Sequence, residues 1–146
     1  MIADPKASSE PSAVVLRLQA ATNAHDLDAL VDCFTAEYLS EIPLHPSRSF
    51  RGVDQVRRNW AQILAGVPDL HSELVREAVD NDVVWAEWEW TGTRRDGAPH
   101  LMRGTTILGV EGRQIAWARF YMEPVFDDGV PIGAAVAQAV APASDR

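Results

Sequence analysis

The sequence predicts an α+β domain in which helices cover one face of a curved, mostly antiparallel sheet. Two observations support this prediction. Apolar residues recur with the helical period as far as about Leu64, and from His71 to Glu123 they recur with the period of two that is typical of strands. The strand half is divided by the turn-forming stretches "DND", "RRDGAP" and "VEGRQ", which favour hairpins. Helical segments followed by a run of hairpins are typical of the α+β class.

Three helices are predicted in the first half of the chain. The first begins at Ser12, and Pro11 suits its first turn because the missing N–H costs nothing there. The second follows Asp26, whose side chain can cap it. The third begins after Gly52 and ends at Gly66. Their apolar faces consist of Val14, Val15, Leu18 and Thr22, then Leu27, Leu30, Val31 and Phe34, then Val53, Val56, Trp60 and Leu64.

Five strands are expected, and four of them follow one another in the second half of the domain. They lie at about residues 37–42, 71–79, 82–93, 100–110 and 113–123. An Ala- and Val-rich segment at about residues 132–141 can form a further short helix. The expected organisation is therefore a disordered arm at residues 1–11, one domain at 12–126 and a C-terminal tail at 127–146.

The composition argues against several classes of partner. The formal net charge is −8, which disfavours nucleic acid and anionic membrane surfaces because both are bound through basic patches. No apolar run approaches the roughly 18–20 residues of a membrane span. The opening residues lack the basic and apolar regions of a signal peptide, so we expect a cytoplasmic protein. The expected partner is a small molecule or another protein.

No cofactor or metal is expected. Cys33 is the single cysteine, which excludes a disulfide framework and a thiolate metal cluster. The four histidines are scattered over different elements and form no i, i+4 pair. Gly104, Gly109 and Gly112 fall in strand and turn positions, so the sequence has no glycine-rich phosphate or dinucleotide loop.

One acidic residue lies among apolar neighbours in a predicted strand. It is Glu41, in the stretch "YLSEIPLHP" at residues 38–46, where two prolines end the strand. Two interpretations are open. Inside the domain, burial would disfavour its charged form, and the residue could exchange a proton near neutral pH. On the surface, it would face solvent or bond Arg48 or Arg51 and be structural.

Three stretches carry a resemblance to a known family. They are "HDLDALVDCFTAEY", "FRGVDQVRRNW" and "EWTGT" at residues 89–93. With the order of elements, they make about residues 12–126 resemble the nuclear transport factor 2-like superfamily, which includes the SnoaL-like polyketide cyclases, the ketosteroid isomerases and the limonene epoxide hydrolases. The resemblance implies a sheet curled into a cone, helices that close it and a ligand inside. It does not imply one reaction, because the scaffold hosts many.

The epoxide hydrolases suggest one register for the strands. "SEIPLHP" and "ARFYMEP" are most similar to the corresponding hydrolase strands and match both without a gap. In this register the Arg and the first Asp of the hydrolase triad fall at Trp88 and Trp90, and the last-strand Asp falls at Phe120. The Tyr and Asn that hold the nucleophilic water fall at Leu39 and Glu41. The hydrolase triad is therefore absent.

The ketosteroid isomerases suggest a second register, which gives Glu41 the opposite facing. Their helix-one Tyr falls at about Leu18, and their general-base Asp falls at Ile42. Their second Asp falls near residues 104–106, where no carboxylate occurs. The isomerase residues are therefore also absent. We prefer the hydrolase-like register because it matches two separate strands.

The preferred register predicts an aromatic cone with one carboxylate inside. Such a cavity suits a hydrophobic or polycyclic ligand, although Trp88 and Trp90 are equally compatible with an ordinary core. Glu41 is the expected catalytic acid or base, and His45 at the mouth is a second catalytic candidate. The residues expected to bind the substrate are Leu39, Trp88, Trp90, Thr106, Phe120 and Met122, with Ala86, Leu108 and Ala118 completing the lining.

The opposite face of the sheet is expected to form a homodimer, as the resemblance also implies. Its large apolar residues would leave a wide patch in a monomer, namely Trp85, Ile107, Trp117 and Tyr121. Glu87 and Glu89 share this face. Arg103 and Arg119 stand opposite on neighbouring strands, so cross-strand ion pairs are expected there in preference to catalysis.

The expected function is that of a cofactor-independent enzyme acting on a small hydrophobic molecule. The reaction would proceed by proton transfer through Glu41, as in an isomerisation, a cyclisation or an epoxide opening. The alternatives are a protein that binds the ligand without changing it and an oligomerisation module. The first requires a titratable group in the cavity, the second requires the cavity alone, and the third requires neither.

Overall fold

The computed structural model of the protein describes residues 10–143. Its helices are α1 (Glu10–Asn23), α2 (Leu27–Val31), α3 (Val53–Gly66) and α4 (Ile132–Val140). Its strands are β1 (Phe34–Glu41), β2 (Phe50–Arg51), β3 (His71–Asp80), β4 (Val83–Thr93), β5 (Pro99–Glu111) and β6 (Gln114–Pro124). A short 3-10 turn at Pro46–Arg48 lies between β1 and β2.

The described strands form one mixed sheet in the order β2-β1-β6-β5-β4-β3. The pair β1–β6 is parallel, and the other neighbouring pairs are antiparallel. Helix α1 contacts β3 and β4, and α3 contacts β1. The sheet face that carries Ala86, Trp88 and Trp90 is called the inner face here, and the face that carries Trp85 and Glu87 is called the outer face. The α+β class predicted from the sequence is confirmed.

The inner face and the helices share one apolar core. The alternation in β4 is regular, with Ala86 and Trp88 buried on the inner face and Trp85 half exposed on the outer face. From the helical side, Val14 and Leu30 are fully buried against it. Burying a side chain of this size contributes about 1.5–3 kcal/mol, so the inner face supplies the main stabilising contacts of the fold.

The boundary between α2 and β1, and the presence of β2, differ from the sequence prediction. Phe34 was expected in the second helix, but α2 ends at Val31 and Phe34 begins β1, where it pairs with Ile115 of β6. The capping of α2 by Asp26 does occur, through a 3.1 Å hydrogen bond from the Ala29 amide. Strand β2 was not among the five expected strands, because two residues are too short to show a period.

The two ends of the described chain contain helices. Helix α1 begins two residues before its predicted start, inside the expected disordered arm, and residues 1–9 of that arm lie outside the described residues. Helix α4 forms within the segment where a short helix was expected. None of the helices in the described part of the chain is long and apolar enough to cross a membrane.

Gly104 permits the close approach of β5 and β6. Its φ is +151°, and a Cβ atom at this position would lie 2.2 Å from the Tyr121 carbonyl oxygen and 2.6 Å from the Met122 Cα. Both contacts are with backbone, so no side-chain movement relieves them. We therefore expect Gly104→Ala to lower the free energy of unfolding by roughly 1–3 kcal/mol in urea denaturation. Gly66→Ala is the control, because no atom lies within 4 Å of a Cβ there. An unchanged urea midpoint for Gly104→Ala would contradict the close approach of the β5 and β6 backbones.

Candidate ligand-binding site

A cavity of about 280 Å³ lies between the helices and the inner face of the sheet. It is called the inner cavity here. Side chains from α1, β1, β2, α3 and the hairpin strands line it, and they fall into an aromatic set, a polar set and a set of other apolar residues. The last set is Leu18, Ile42, Val56, Ile63, Met102, Leu108 and Ala118. The aromatic set is Phe34, Tyr38, Phe50, Trp60, Trp88, Trp90 and Phe120. The polar set is Thr22, Ser40, Asn59, Ser72 and Thr106.

The aromatic rings support one another at angles that favour edge-to-face attraction. Trp60 of α3 packs against Trp90 of β4 with ring centroids 5.2 Å apart and an interplanar angle of 64°. Trp90 also contacts Phe120 of β6 at 6.2 Å. Aromatic pairs in these geometries contribute about 0.5–1.5 kcal/mol beyond burial, so the rings form a stiff apolar wall.

The polar side chains that line the cavity are uncharged. The buried Trp88 indole donates from Nε1 to Thr106 Oγ1 at 2.9 Å. Thr22 donates its hydroxyl to the Leu18 carbonyl at 2.8 Å. In contrast, the Nε1 of Trp90 is buried and has no hydrogen-bond partner among the described residues. No Asp, Glu, His, Lys or Arg occurs among the described lining residues, so their own chemistry is that of neutral hydrogen bonds.

Tyr38 is the titratable group in this lining. Burial raises its pKa from 10.0 to about 12, and a hydrogen bond with the Ser40 side chain opposes part of this shift. The ring is held between Phe34 and Phe50, at centroid distances of 4.7 Å and 6.0 Å. The phenol therefore stays protonated at neutral pH and acts as a hydrogen-bond donor.

Glu41 does not enter the inner cavity, and the predicted facing is wrong. Its Oε2 lies 3.0 Å from Arg119 Nη1 on the outer face, with both side chains nearly half exposed. The reason is the register of β1 with β6, which places Ser40 beside Ala118 and Glu41 beside Arg119. Residues paired across two adjacent strands lie on the same face of the sheet. Ala118 lines the cavity, so its partner Ser40 faces the cavity and Glu41 faces the other way. The isomerase-like register therefore gives the correct facing.

Arg119 is also the partner that the surface interpretation of Glu41 missed. That interpretation named Arg48 and Arg51, which follow in the chain, whereas the parallel neighbour β6 supplies the guanidinium. Arg119 Nη2 additionally donates to the Tyr121 hydroxyl at 3.2 Å, which raises the pKa of Arg119 and keeps it cationic. Glu41 is thus part of a surface network.

The remaining predicted site residues divide into two groups. Trp88, Trp90, Thr106 and Phe120 line the inner cavity. The other three lie elsewhere: His45 Nε2 lies 2.8 Å from Glu123 Oε1, Leu39 pairs in register with Trp117, and Met122 is buried in the core without reaching the described lining. The expected placement of these three in the cavity or at its mouth is therefore wrong.

Several lining residues were not predicted from the sequence. Tyr38, Ser40 and Ile42 were missed because the preferred register assigned the opposite parity to β1. Asn59 was missed because only the apolar residues of α3 were considered. The signal was present, since Asn59 lies three residues after Val56 and thus on its apolar face, where a polar side chain is unusual.

Glu89 and Arg103 form one of the expected cross-strand ion pairs, at 2.8 Å on the outer face. Glu87 pairs instead with Arg76 of β3, also at 2.8 Å. The described residues contain no group of three or more His, Cys, Asp and Glu side chains arranged to hold a metal ion. Glu87 and Glu89 are therefore paired with arginines at the surface.

The chain belongs to the family of SnoaL-like domains, whose family model matches residues 15–118. A candidate SnoaL-like polyketide cyclase from Jannaschia sp. CCS1 is 19% identical, with 97% of this chain and 99% of that chain covered and a TM-score of 0.68. A candidate isomerase from Bacillus subtilis is 14% identical, with 78% and 86% covered and a TM-score of 0.70. The resemblance expected from the sequence is confirmed.

A third solved structure carries a bound small molecule. It is a hypothetical protein with a ketosteroid isomerase-like fold from Catenulispora acidiphila, in complex with trimethylamine. It is 19% identical, with 90% of this chain and 95% of that chain covered and a TM-score of 0.64. At these identities the likeness shows the fold and not the reaction. No curated protein matches the chain closely enough to indicate an activity.

The raised pKa of Tyr38 predicts a stability loss at alkaline pH. The unfolded chain releases the phenol proton near pH 10.0, and the folded chain releases it near pH 12. The contribution of this group is therefore complete below pH 10 and is lost as the pH rises towards 12. Urea denaturation across this range should show a steeper loss for the wild type than for Tyr38→Phe. Identical pH dependence in the two proteins would show that Tyr38 is not buried.

Proposed function

We propose that the protein binds a small, uncharged, mainly apolar molecule in the inner cavity. The observation that carries this proposal is an aromatic-rich lining whose described polar groups are all neutral. Burying an unpaired charge in such surroundings costs several kcal/mol, which favours an uncharged ligand. The volume of about 280 Å³ lies just below the usual range of ligand pockets and suits a molecule of one or two rings.

Proton transfer is a second candidate, which family membership and the Tyr38 phenol favour. Because the raised pKa keeps this phenol protonated, it can donate to a ligand carbonyl but is a poor base. Glu41 is not proposed as the acid or base, since its carboxylate pairs with Arg119 on the outer face. Binding is the better supported function because it requires only the cavity.

Filling the cavity tests the proposal. Ala118 is 2% exposed and lines the cavity, so Ala118→Leu places additional carbon atoms in the ligand's volume. We expect the affinity for tetralin and for 1-tetralone, two compact ring compounds, to fall by about tenfold or more in titration calorimetry. Circular dichroism and thermal unfolding will show whether the variant remains folded.

Two controls accompany this variant. Ala78→Leu makes the same change on β3 opposite Trp85, at the outer face, and should leave both affinities unchanged. Glu41→Gln should also leave both affinities unchanged, because the Glu41 side chain pairs with Arg119 on the outer face and does not enter the inner cavity. If neither compound binds the wild-type protein, or if Ala118→Leu binds both as tightly as the wild type, the inner cavity is not the binding site.

We also propose that the outer face forms a homodimer. Trp85 is 50% exposed there, and its register neighbour on β5 is Ile107. Trp117 and Tyr121 of β6 extend the same apolar surface and are partly buried. A patch of this composition on a sheet is typical of a protein–protein interface, and a second copy offers the same patch with two-fold symmetry.

A charged substitution tests the dimer. Trp85→Glu should shift sedimentation towards the monomer, because a carboxylate cannot be desolvated without a partner in an apolar interface. Leu16→Glu introduces the same charge at a similarly exposed position, 54%, on α1, and should leave the association state unchanged. A wild-type protein that sediments as a monomer at every concentration would rule out the outer-face dimer.

A further inference from the structure

Thr106, in the wall formed by β4 and β5, has a hydroxyl proton that it can donate. Trp88 Nε1 donates to Thr106 Oγ1 at 2.9 Å, and both side chains are buried. An indole N–H cannot accept a hydrogen bond, so Thr106 is the acceptor in this pair. Its own hydroxyl proton is therefore free for another partner. Thr106 lines the inner cavity, where a ligand can accept that proton.

Asn59 is oriented by a chain of hydrogen bonds along α3. Arg58 Nη2 donates to Gln55 Oε1 at 2.7 Å, and Gln55 Nε2 donates to Asn59 Oδ1 at 2.6 Å. Because arginine only donates, it fixes which end of the Gln55 amide faces it, and Gln55 fixes the orientation of Asn59 in turn. Asn59 lines the cavity, and its Nδ2 has no acceptor among the described residues. This amide group is therefore a second donor.

The Nε1 of Trp90 is a third candidate donor. Its Nε1 is buried and has no hydrogen-bond partner within residues 10–143, although the side chain lines the cavity. A buried donor without an acceptor is unfavourable, and native proteins rarely retain one without a reason. A ligand oxygen that accepted this hydrogen bond would remove the penalty and gain affinity.

We infer that the inner cavity selects uncharged ligands that carry hydrogen-bond acceptors, such as ketones, over hydrocarbons of the same shape. Asn59 and Trp90 are the selecting donors, and the Thr106 hydroxyl is left in place in every variant below. The inference rests on the proposed binding function and specifies its ligand class. Gln55 and Arg58 lie outside the lining and act as positioning residues, because they hold the amide of Asn59 with its donor group free.

A matched pair of probes measures this selection. 1-Tetralone and tetralin have the same fused rings and differ by one carbonyl oxygen. One well-placed hydrogen bond in the wild-type protein should favour 1-tetralone by about tenfold in titration calorimetry. Asn59→Leu and Trp90→Phe each remove one donor and place an apolar side chain at the position. Each should reduce the ratio of the 1-tetralone affinity to the tetralin affinity, and this ratio is the measurement because a changed lining also alters the affinity for tetralin.

Gln55→Glu tests the positioning role without touching the lining. A carboxylate accepts hydrogen bonds from both Arg58 and Asn59. Asn59 must therefore turn its Nδ2 towards the carboxylate and present its Oδ1 to the cavity. The preference for 1-tetralone should then fall as it does in Asn59→Leu, while affinity for tetralin is retained. Gln62→Glu is the control, because Gln62 is an exposed residue of the same helix outside the described lining. It should keep the wild-type preference.

The outcomes separate this inference from the proposed function. If the wild type binds both probes equally, the cavity binds ligands but does not select acceptors, and the inference is wrong. If the preference survives in Asn59→Leu, Trp90→Phe and Gln55→Glu, these donors do not produce it, and the inference is again wrong. If neither probe binds the wild type, the proposed function fails and the inference fails with it.

The indole N–H signals provide a direct measurement on the same samples. The chain has five tryptophans, and Trp90→Phe identifies the signal of Trp90 in the two-dimensional nitrogen–proton spectrum. Adding 1-tetralone should move this signal downfield, as expected for a new hydrogen bond, and tetralin should not. The Trp88 signal should move less, since its proton is already donated to Thr106. An unmoved Trp90 signal at saturating 1-tetralone would contradict the assignment of Trp90.

Discussion

The parallel pairing of β1 with β6 is the constraint on which the site depends. Its register sets Ser40 beside Ala118 and Glu41 beside Arg119. Because side chains alternate along a strand, this register directs Tyr38 and Ser40 into the inner cavity and directs Glu41 to the surface. A slip of one residue would exchange the two sets. One strand pairing therefore decides whether the cavity contains a carboxylate or a hydroxyl pair.

The sheet separates charged groups from neutral ones. The outer face holds ion pairs such as Arg103–Glu89 and Arg119–Glu41, whose groups remain partly in water. Exposed pairs of this kind contribute little to stability, but they need no desolvation. The inner face is then left to apolar packing and to a few neutral polar side chains. A reaction that needs a buried charge would have to take that charge from a ligand and not from the described lining.

The cavity exists because large rings line the space between helices and sheet without filling it. Trp60 reaches it from α3 and Trp90 from β4, and their edge-to-face contact fixes both rings. Such mutual support stiffens the wall, so a few polar atoms can be placed reproducibly against it. The solved structures of a candidate cyclase and a candidate isomerase share this fold, which by itself does not fix a reaction.

The sequence by itself determined the α+β class, the hairpins and the inward facing of Trp88, Trp90, Thr106 and Phe120. These are local properties, because a long alternating strand joined to its neighbour by a tight turn has its register set nearby. Only the tertiary structure decided the facing of β1, the existence of β2 and the place of Asn59 in the cavity. Strand β1 has apolar residues on both faces, and no hairpin turn joins it to its partner β6, some 80 residues away in the chain. Its period alone therefore left both facings open, and burial against distant elements selected one of them.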